Sequence, residues 1–386
     1  MEPIYSPAEL AEVAAYHAPL YLSAAVDFFV WPVLVTCFAV FFPRWWRPRE
    51  GLGFALRFTL TYFLSLALLY LPLDVWLGYL RDREYGLSTQ SLGSFVWDEL
   101  KSWAMYVASI SALTVGVFGL ARKTKHWWWM VALASSVVLV GSIALDPYKA
   151  RLYVDEQPLA EGPLRAQLTQ LLARAEVPFA DILVVNTSEK SVRVGAAFAG
   201  SGPTRTILLS DTLLQQMTPA EISAAVAHEA GHVRETRWTG RVSSVLALFA
   251  LLGFWEWLFR AAARRHWFGI TARGDVRVLP VLMLAFTLVL QLGAPISGVV
   301  SRSRESAADL YALQLTHDAP ALISLLRKLT RINKDDPDPP RWLVLSGSSH
   351  PSIVDRLAAI QKNATPPPPT TANVGTSEQH EPGVMR

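Results

Sequence analysis

The sequence predicts a multi-pass α-helical membrane protein that also carries an α+β domain outside the bilayer. Charged residues make up 17% of the 386 residues, below the usual quarter. Apolar residues are concentrated in long, almost uncharged stretches. Many of the 14 tryptophans lie at the ends of those stretches, as in an interfacial aromatic belt. Residues 146–240 instead have the composition of a soluble domain with short strands and amphipathic helices.

Six apolar stretches are predicted to span the membrane, and most of them approach or exceed the roughly 20 apolar residues that cross the hydrocarbon core. They comprise residues 20–42, 55–80, 103–121, 127–145, 242–255 and 278–300. The fifth is short because Glu256 follows it. Core helices of a large soluble protein are the alternative, but six such stretches with aromatic ends favour membrane spans.

The chain is predicted to comprise five regions. An N-terminal membrane region of about four spans occupies residues 1–145, and a soluble core occupies residues 146–240. Two further spans follow at 241–300, and the rest of the soluble domain at 301–363. The Pro-rich, polar tail at 364–386 is predicted to be disordered.

Within the soluble domain, the pattern predicts three strands and three helices, in addition to the helix around residues 228–232. The strands are predicted at residues 180–187, 192–200 and 206–211. The helices are predicted at residues 161–176, 305–315 and 319–330.

The strongest chemical signal is His-Glu-Ala-Gly-His at residues 228–232. The preceding Thr-Pro-Ala-Glu, at 218–221, has the form of a capping box with proline in the first helical turn. On that helix His228 and His232 lie one turn apart on one face, the spacing at which two imidazoles bind one metal ion. Glu229 stands beside them, where it can take a proton from a metal-bound water. A polar stripe on a solvated helix is the alternative.

A catalytic zinc site needs a third protein ligand and an open position. Glu305 and Asp309, just after the sixth span, are four residues apart and face one side of a helix. The two spans after the motif form an out-and-back hairpin, which returns Glu305 to the membrane face that holds the histidines. Asp309 would hold a ligand histidine through its second ring nitrogen or meet the substrate. In the alternative, Glu305 pairs with Arg302 or Arg304 on a solvated helix.

Composition argues against several other classes of protein and site. The single cysteine, Cys37, excludes an internal disulfide and a multi-cysteine zinc site. The net charge of +3 comes without a basic block, so no nucleic-acid partner is predicted. The chain begins with acidic residues, so no cleavable signal peptide is expected. A transporter is disfavoured because four of the six spans carry no charged residue.

Together these residues resemble the membrane-embedded zinc endopeptidases that include the type I CAAX prenyl proteases and the bacterial heat-shock membrane protease. HEAGH matches the family's HExxH, and RSRESAAD matches its Glu-xxx-Asp helix. SSHPSIVDRL matches a later His-Pro…Arg motif at His350, Pro351 and Arg356. The similarity to the CAAX branch extends over residues 71–357. The resemblance implies that the α+β domain is a zincin-like metallopeptidase domain.

The resemblance also implies the residues of the site. The ligands of one Zn²⁺ would be His228, His232 and Glu305. The catalytic and supporting residues would be Glu229 as general base, with Asp309, His350 and Arg356.

The family usually binds the substrate backbone along a strand that carries Asn-Ala-Tyr/Phe. The corresponding residues are Gly195, Ala196, Ala197 and Phe198. Gly195 stands where the asparagine would be, so the side-chain contact of that asparagine is not expected. The CAAX branch usually has seven spans, and the one missing from the six predicted here would be near the N-terminus.

The predicted function is that of an integral-membrane zinc endopeptidase acting on membrane-associated or lipidated, CAAX-like substrates. The alternatives are a quality-control protease for membrane proteins and a non-catalytic scaffold that retains the fold. Against the scaffold, all of the motif residues His228, Glu229, His232 and Glu305 are intact. The expected partners are a peptide or protein substrate and the lipid bilayer of the cell membrane.

The side of the membrane that the zinc domain faces stays open at this point. The loops opposite that domain are rich in basic residues: Arg44, Arg47, Arg49, Arg122, Lys123, Lys125, Arg260, Arg264, Arg265, Arg273 and Arg277. The positive-inside rule places these loops in the cytoplasm, whereas the resemblance implies a site that faces the cytosol.

Overall fold

The computed structural model describes residues 3–47, 51–142, 155–200, 202–234, 237–270, 272 and 274–364 of the chain. The predicted border between the first membrane region and the soluble core falls at residues 145 and 146, outside the described residues. The predicted disordered tail also lies outside them, except for Ala364 at the end of the last helix.

Long apolar helices occupy the predicted N-terminal membrane region. Their bounds are α1 (Pro7–Phe29), α2 (Trp31–Phe41), α3 (Leu52–Val75), α4 (Leu92–Lys123) and α5 (Trp127–Ser142). A π-helical turn, Trp76–Leu80, and the helical turn Arg81–Glu84 continue α3. By length and composition α3 and α4 can each cross a bilayer, while the described apolar part of α5 is the shorter Trp127–Val138.

The first predicted span is divided between two helices, α1 and α2, which meet at a bend of 41°. Pro32, in the first turn of α2, has no N–H to donate to the carbonyl of Phe28. Instead, the amide Nε2 of Gln291 lies 3.0 Å from the carbonyl oxygen of Asp27 and 3.4 Å from that of Phe28. A side chain from another membrane helix therefore donates to the carbonyls at the bend.

The soluble domain contains a four-stranded sheet in the order β1-β2-β4-β3. Its elements, in chain order, are β1 (Glu156–Pro158), α6 (Pro163–Arg174), β2 (Asp181–Val185), β3 (Ala196–Ala199), β4 (Thr206–Ser210), α7 (Asp211–Gln216) and α8 (Pro219–Arg234). Strands β2 and β4 are parallel, and both outer pairs are antiparallel. The three predicted strands and the helix at 161–176 are present, whereas β1 was not predicted, since three residues give no alternation to recognise.

Two long helices follow, α9 (Arg237–Arg264) and α10 (Leu279–Thr316). Helix α9 continues past Glu256, where the predicted fifth span stopped. Glu256 is 4% exposed and accepts hydrogen bonds from Trp127 Nε1 (2.6 Å) and Arg260 Nε (2.7 Å). These donors offset the cost of burying the carboxylate, so the helix is not interrupted there.

Helix α10 joins the sixth predicted span and the predicted helix at 305–315 into one element of 38 residues. It contains Pro295 and remains continuous. Glu305 and Asp309 therefore lie on a direct extension of a membrane helix. The remaining helices are α11 (Ala319–Asn333), α12 (Arg341–Ser346) and α13 (Ile353–Ala364).

Among the described residues, the buried apolar side chains form two separate cores. One lies in the soluble domain between the sheet and helices α6, α8 and α11, and includes Leu168, Ile207, Val226 and Leu322. The other lies among the membrane helices, and includes Phe58.

Helix α8 begins with the predicted capping box, and its glutamate also binds α11. The backbone N–H of Thr218 donates to Glu221 Oε2 (2.7 Å), and the backbone N–H of Glu221 donates to Thr218 Oγ1 (3.3 Å). Ser324 Oγ donates to Glu221 Oε1 (2.6 Å), and Lys328 Nζ lies 2.8 Å from the same oxygen. Burial alone would raise the pKa of Glu221, but hydrogen bonds from Lys328, Ser324 and Thr218 outweigh it and lower the pKa to about 2.

We expect Glu221→Gln to lower the free energy of unfolding by about 1–3 kcal/mol, since it removes charge-assisted hydrogen bonds. The folded-state pKa lies below the value of about 4.3 for an unfolded glutamate, so the stabilisation is present above pH ~4.3 and is lost as pH falls towards 2. Thermal unfolding in detergent, followed by tryptophan fluorescence from pH 3 to 7, should show the two proteins converging at low pH. Glu84→Gln, at an exposed position, is the matched control.

Candidate metal centre

The two motif histidines occupy one face of α8. The His228 and His232 rings lie with centroids 4.9 Å apart and nearly perpendicular planes. The capping box fixes where α8 begins, and the residues between it and the motif are mostly buried alanines and aliphatic side chains. The helix is thus held in the core while its histidines reach the surface of a cavity.

Glu305 of α10 faces both histidines. Its Oε2 lies 3.5 Å from His228 Nε2, and its Oε1 lies 3.3 Å from His232 Nε2. One ligand atom from each of these three residues lies within 4.8 Å of the others. The structure therefore brings together the three residues predicted as metal ligands.

The donor set fits a divalent cation. Glu305 Oε2 is buried and makes no hydrogen bond within the described part of the chain, which leaves a lone pair for a metal. Two imidazole nitrogens and a carboxylate are ligands that suit zinc and leave a position open. Burial would lower the pKa of His228, but Asp309 and Glu305 outweigh it and raise the pKa to about 9, so the cluster attracts positive charge.

Asp309 and Arg356 lie behind His228. Asp309 Oδ1 is 2.9 Å from His228 Nδ1, the ring nitrogen that faces away from Glu305. Arg356 of α13 donates to both oxygens of Asp309, through Nε (2.8 Å) and Nη2 (2.7 Å). The fork of the guanidinium therefore fixes the orientation of the carboxylate that contacts the histidine.

Glu229 and His350 lie at the same cavity, which has a volume of about 450 Å³. Burial raises the pKa of Glu229, so its carboxylate is a better proton acceptor than an exposed glutamate. His350 Nδ1 lies 3.1 Å from Glu305 Oε2, and its side chain is 63% exposed. Glu229 is on the ligand helix, whereas His350 comes from the segment between α12 and α13.

The glycine of the motif allows α8 and α10 to approach each other. A Cβ added at Gly231 would lie 2.9 Å from the Cα and 3.2 Å from the Cβ of Ala308. Ala308 is the residue before Asp309 and one turn after Glu305. The backbone of α10 therefore approaches α8 at Gly231.

The predicted substrate strand lies at the edge of the sheet. Strand β3 begins at Ala196 and pairs only with β4 among the described strands. Gly195 precedes it, where its N–H donates to Ser210 Oγ (3.1 Å). Gly195, Ala196 and Ala197 line the 450 Å³ cavity, and Phe198 packs partly buried against the soluble core.

Asn333, which was not predicted as a site residue, contacts the same edge. Asn333 Oδ1 accepts from the backbone N–H of Val194 (3.0 Å), and Asn333 Nδ2 donates to the carbonyl of Val194 (3.3 Å). The side-chain amide thus pairs with the backbone just before β3. No local pattern marks Asn333, because the pair spans 139 residues of sequence.

The fold and the site define a membrane-embedded metallopeptidase. Residues 158–364 match the sequence model of peptidase family M48. Residues 21–149 match the model described as the N-terminal part of CAAX prenyl proteases, with five membrane helices. The chain belongs to peptidase family M48 and is a multi-pass integral membrane protein.

Individual relatives agree with this assignment. The uncharacterized metalloprotease YhfN of Bacillus subtilis is 29% identical over 379 residues, which cover 94% of this chain and 87% of YhfN. CAAX prenyl protease 1 of Saccharomyces cerevisiae is 26% identical over 317 residues, which cover 75% of this chain and 68% of the relative. The crystal structure of Ste24p from S. mikatae shares the fold, with a TM-score of 0.77, 20% identity, and coverage of 93% of this chain and 90% of that one. The predicted fold class, family resemblance and metallopeptidase class are confirmed.

We expect Gly231→Ala to destabilise the protein by about 1–3 kcal/mol, because the new Cβ overlaps the backbone of α10. Metal content should fall as well, since the two ligand-bearing helices must separate. Gly93→Ala is the control, because nothing lies within 4 Å of a Cβ at that position. The melting temperature and the metal content of both variants test this prediction. Equal melting temperatures and equal metal contents in the two variants would contradict it.

Proposed function

We propose that this chain is a zinc endopeptidase that hydrolyses peptide bonds in membrane-associated proteins, with lipidated CAAX-like proteins as substrates. The observation that carries the proposal is the meeting of Glu305 with His228 and His232 beside Glu229 in one cavity. Glu305 also lies on the extension of a membrane helix, so a substrate anchored in the bilayer has a short path to the site.

In this proposal His228, His232 and Glu305 hold the zinc ion, as their nitrogen and oxygen donors favour. When bound, zinc supplies Lewis-acid polarisation of the scissile carbonyl and acidifies a water molecule. The Asp309 carboxylate, whose Oδ1 lies 2.9 Å from His228 Nδ1, would fix the ring orientation and the tautomer that leaves Nε2 free for the metal. Arg356 acts through Asp309 as a positioning residue.

Glu229 is the proposed general base. Its carboxylate takes a proton from the attacking water and passes it to the nitrogen of the leaving amine as the C–N bond breaks. Its raised pKa, which burial causes, suits a group that must both accept and return a proton. His350 lines the same cavity and is the proposed donor to the oxygen that becomes negative in the tetrahedral intermediate.

The substrate backbone is proposed to add to the free edge of β3. The cavity that holds Glu229 is lined by Gly195, Ala196 and Ala197, so a peptide paired with this edge passes the metal site. The lack of a side chain at Gly195 leaves recognition to backbone hydrogen bonds there.

The CAAX-like substrate class is proposed from relatives whose names carry that activity, including the yeast enzyme and CAAX prenyl protease 1 homologs of plants and animals. A quality-control protease would use the same site on unmodified membrane proteins. The two differ in whether a prenyl group on the substrate raises kcat/KM.

The test uses detergent-purified wild type and Glu229→Gln, with zinc analysis and cleavage of a farnesylated CAAX peptide and its unprenylated counterpart. We expect about one zinc per chain in both proteins, and a loss of cleavage of at least about 100-fold in the variant. Absence of zinc from the wild type would refute the metal assignment. Equal cleavage of the two peptides would refute lipidated substrates and favour quality control, and zinc without cleavage would favour a scaffold.

We also expect Asp309→Asn to weaken zinc binding about 10–100-fold, because the amide does not stabilise the ligand orientation of His228 as the carboxylate does. Chelator competition measures the affinity. Asp355→Asn, an exposed neighbour of Arg356, is the control and should bind zinc like the wild type. An unchanged affinity in Asp309→Asn would rule out this role.

A further inference from the structure

The backbone hydrogen-bonding groups along β3 point alternately towards β4 and towards the free edge of the sheet. Gly195, immediately before β3, points towards β4: its N–H donates to Ser210 Oγ (3.1 Å), and its carbonyl accepts from the backbone N–H of Ser210 (3.0 Å). In an antiparallel pair the next residue on either side points the other way. The backbone groups of Val194, Ala196 and Phe198 therefore point to the free edge.

Asn333 occupies this edge at Val194. Its side-chain Oδ1 accepts from the backbone N–H of Val194 (3.0 Å), and its Nδ2 donates to the carbonyl of the same residue (3.3 Å). A side-chain amide offers an acceptor and a donor, as a peptide group does. Asn333 thus takes the place that the backbone of a neighbouring strand would take, and the first edge groups left for a peptide belong to Ala196.

Contacts on both sides hold this pair in place. Asn333 is the last residue of α11, and the carbonyl of Lys334, which caps the helix, lies 2.7 Å from His17 Nε2 on α1. On the strand side, Thr212 Oγ1 donates to the carbonyl of Arg193 (2.6 Å). The amide of Asn333 is therefore held at a fixed position on the edge of the sheet.

The amide of Asn333 lies close to the metal centre. Leu329, one turn before Asn333 on α11, lines the 450 Å³ cavity together with Gly195, Ala196 and Ala197. A peptide that pairs antiparallel with β3, the orientation with the more stable pairing, runs towards Asn333 at its carboxyl end. Pairing with β3 therefore ends at Asn333 on the carboxyl side of the peptide.

The side chains at the start of β3 specify the register of a paired peptide only weakly. Residues 195–197 are a glycine and two alanines, which give a peptide little to pack against, and strands of this kind permit slippage. A fixed group at one end removes that freedom, because a peptide shifted further along the edge meets the Asn333 amide.

We propose that Asn333 is a positioning residue that sets the register of the substrate on β3 and favours substrates that end shortly after the scissile bond. The inference rests on the proposed peptidase function and on peptide addition to β3. It agrees with the proposed substrate class, because a CAAX-like sequence ends three residues after its cysteine. A longer carboxyl-terminal segment has to turn away from the edge at Asn333, which orders that segment without adding a hydrogen bond.

The role of Asn333 is tested with farnesylated CAAX-like peptides that carry no, two or four extra residues at the carboxyl end. Wild type and Asn333→Ala are compared by kcat/KM, and mass spectrometry identifies the bond that is cut. We expect the wild type to cut one bond and to lose about tenfold in kcat/KM between the shortest and the longest peptide, the equivalent of about one hydrogen bond.

In Asn333→Ala the freed edge at Val194 can pair with the extra residues. The loss between the shortest and the longest peptide should therefore shrink to about twofold or less. A second cut, displaced by about two residues towards the amino end, should appear in the extended peptides, since two residues are one period of a strand.

Asn363→Ala is the matched control, because Asn363 is exposed on α13, and this variant should behave like the wild type. Binding of the same peptides to Glu229→Gln, alone and combined with Asn333→Ala, is measured by fluorescence anisotropy and is independent of turnover. We expect only the combined variant to lose the preference for short peptides. If melting temperatures show that Asn333→Ala is unfolded, Asn333→Asp replaces it, because its carboxylate repels the carbonyl of Val194 and should open the same edge.

A wild type that cleaves peptides of all lengths equally would overturn the proposal. It would also be overturned if Asn333→Ala lost activity by the same factor on every peptide and kept the single cut, which is the effect expected of a purely structural residue.

Failure of the peptidase function is distinguishable from failure of this inference. A wild type that neither cleaves nor binds any of the peptides refutes both. Cleavage that depends on Glu229, with the same length dependence and the same single cut in wild type and Asn333→Ala, refutes only the role of Asn333.

Discussion

The close approach of α8 and α10 at Gly231 and Ala308 is the contact on which the site depends. A single Cβ on Gly231 would come within 2.9 Å of the opposing backbone, so the helices pack at a distance that only glycine permits. Packed interiors transmit such a change, because the side chains have little room to adjust. One turn from this contact, Glu305 lies 3.3 Å from His232, and a wider spacing would separate the proposed third ligand from the two histidines.

That contact also links the chemistry to the membrane. Because α10 runs without a break from a span to Glu305, a proposed metal ligand, movement of the span moves the Glu305 carboxylate. Asp309, one turn further on, shares its two oxygens between His228 and Arg356. Buried charges of this kind are stable only as a set, since removing one leaves its partner buried without compensation. Helix α10 therefore carries both Glu305, a proposed metal ligand, and Asp309, which is proposed to position His228.

The N-terminal half of α1 ties the membrane region to the soluble domain from the other side. Tyr16 donates to Asp82 (2.8 Å), and Arg193 Nη2 donates to the Tyr16 hydroxyl (2.7 Å) and lies 3.0 Å from Asp82. Arg81 also donates to Tyr16 (3.0 Å). Arg193 precedes β3, so this network fixes the strand proposed to bind substrate relative to α1 and the end of α3. A helix that hydropathy marks only as a membrane element thus forms part of the peptidase domain.

Local patterns in the sequence were enough to predict the elements and much of the site. The spacing of His228, Glu229 and His232 follows from the period of one helix, and long apolar stretches identify membrane helices from composition alone. Glu305 could be predicted to lie near the histidines because the two intervening spans return the chain to the same face of the membrane. The α1–α2 bend was missed, since a continuous apolar stretch hides the effect of Pro32.

Only the tertiary structure decided which faces meet. Helical periodicity shows that Glu305 and Asp309 share a face, but not that Asp309 contacts His228 or that Arg356 holds Asp309. The contact of Asn333 with Val194 likewise joins segments distant in the chain. The physical reason is that backbone geometry repeats over three or four residues, whereas these contacts arise from packing across tens to hundreds of residues, which no local pattern encodes.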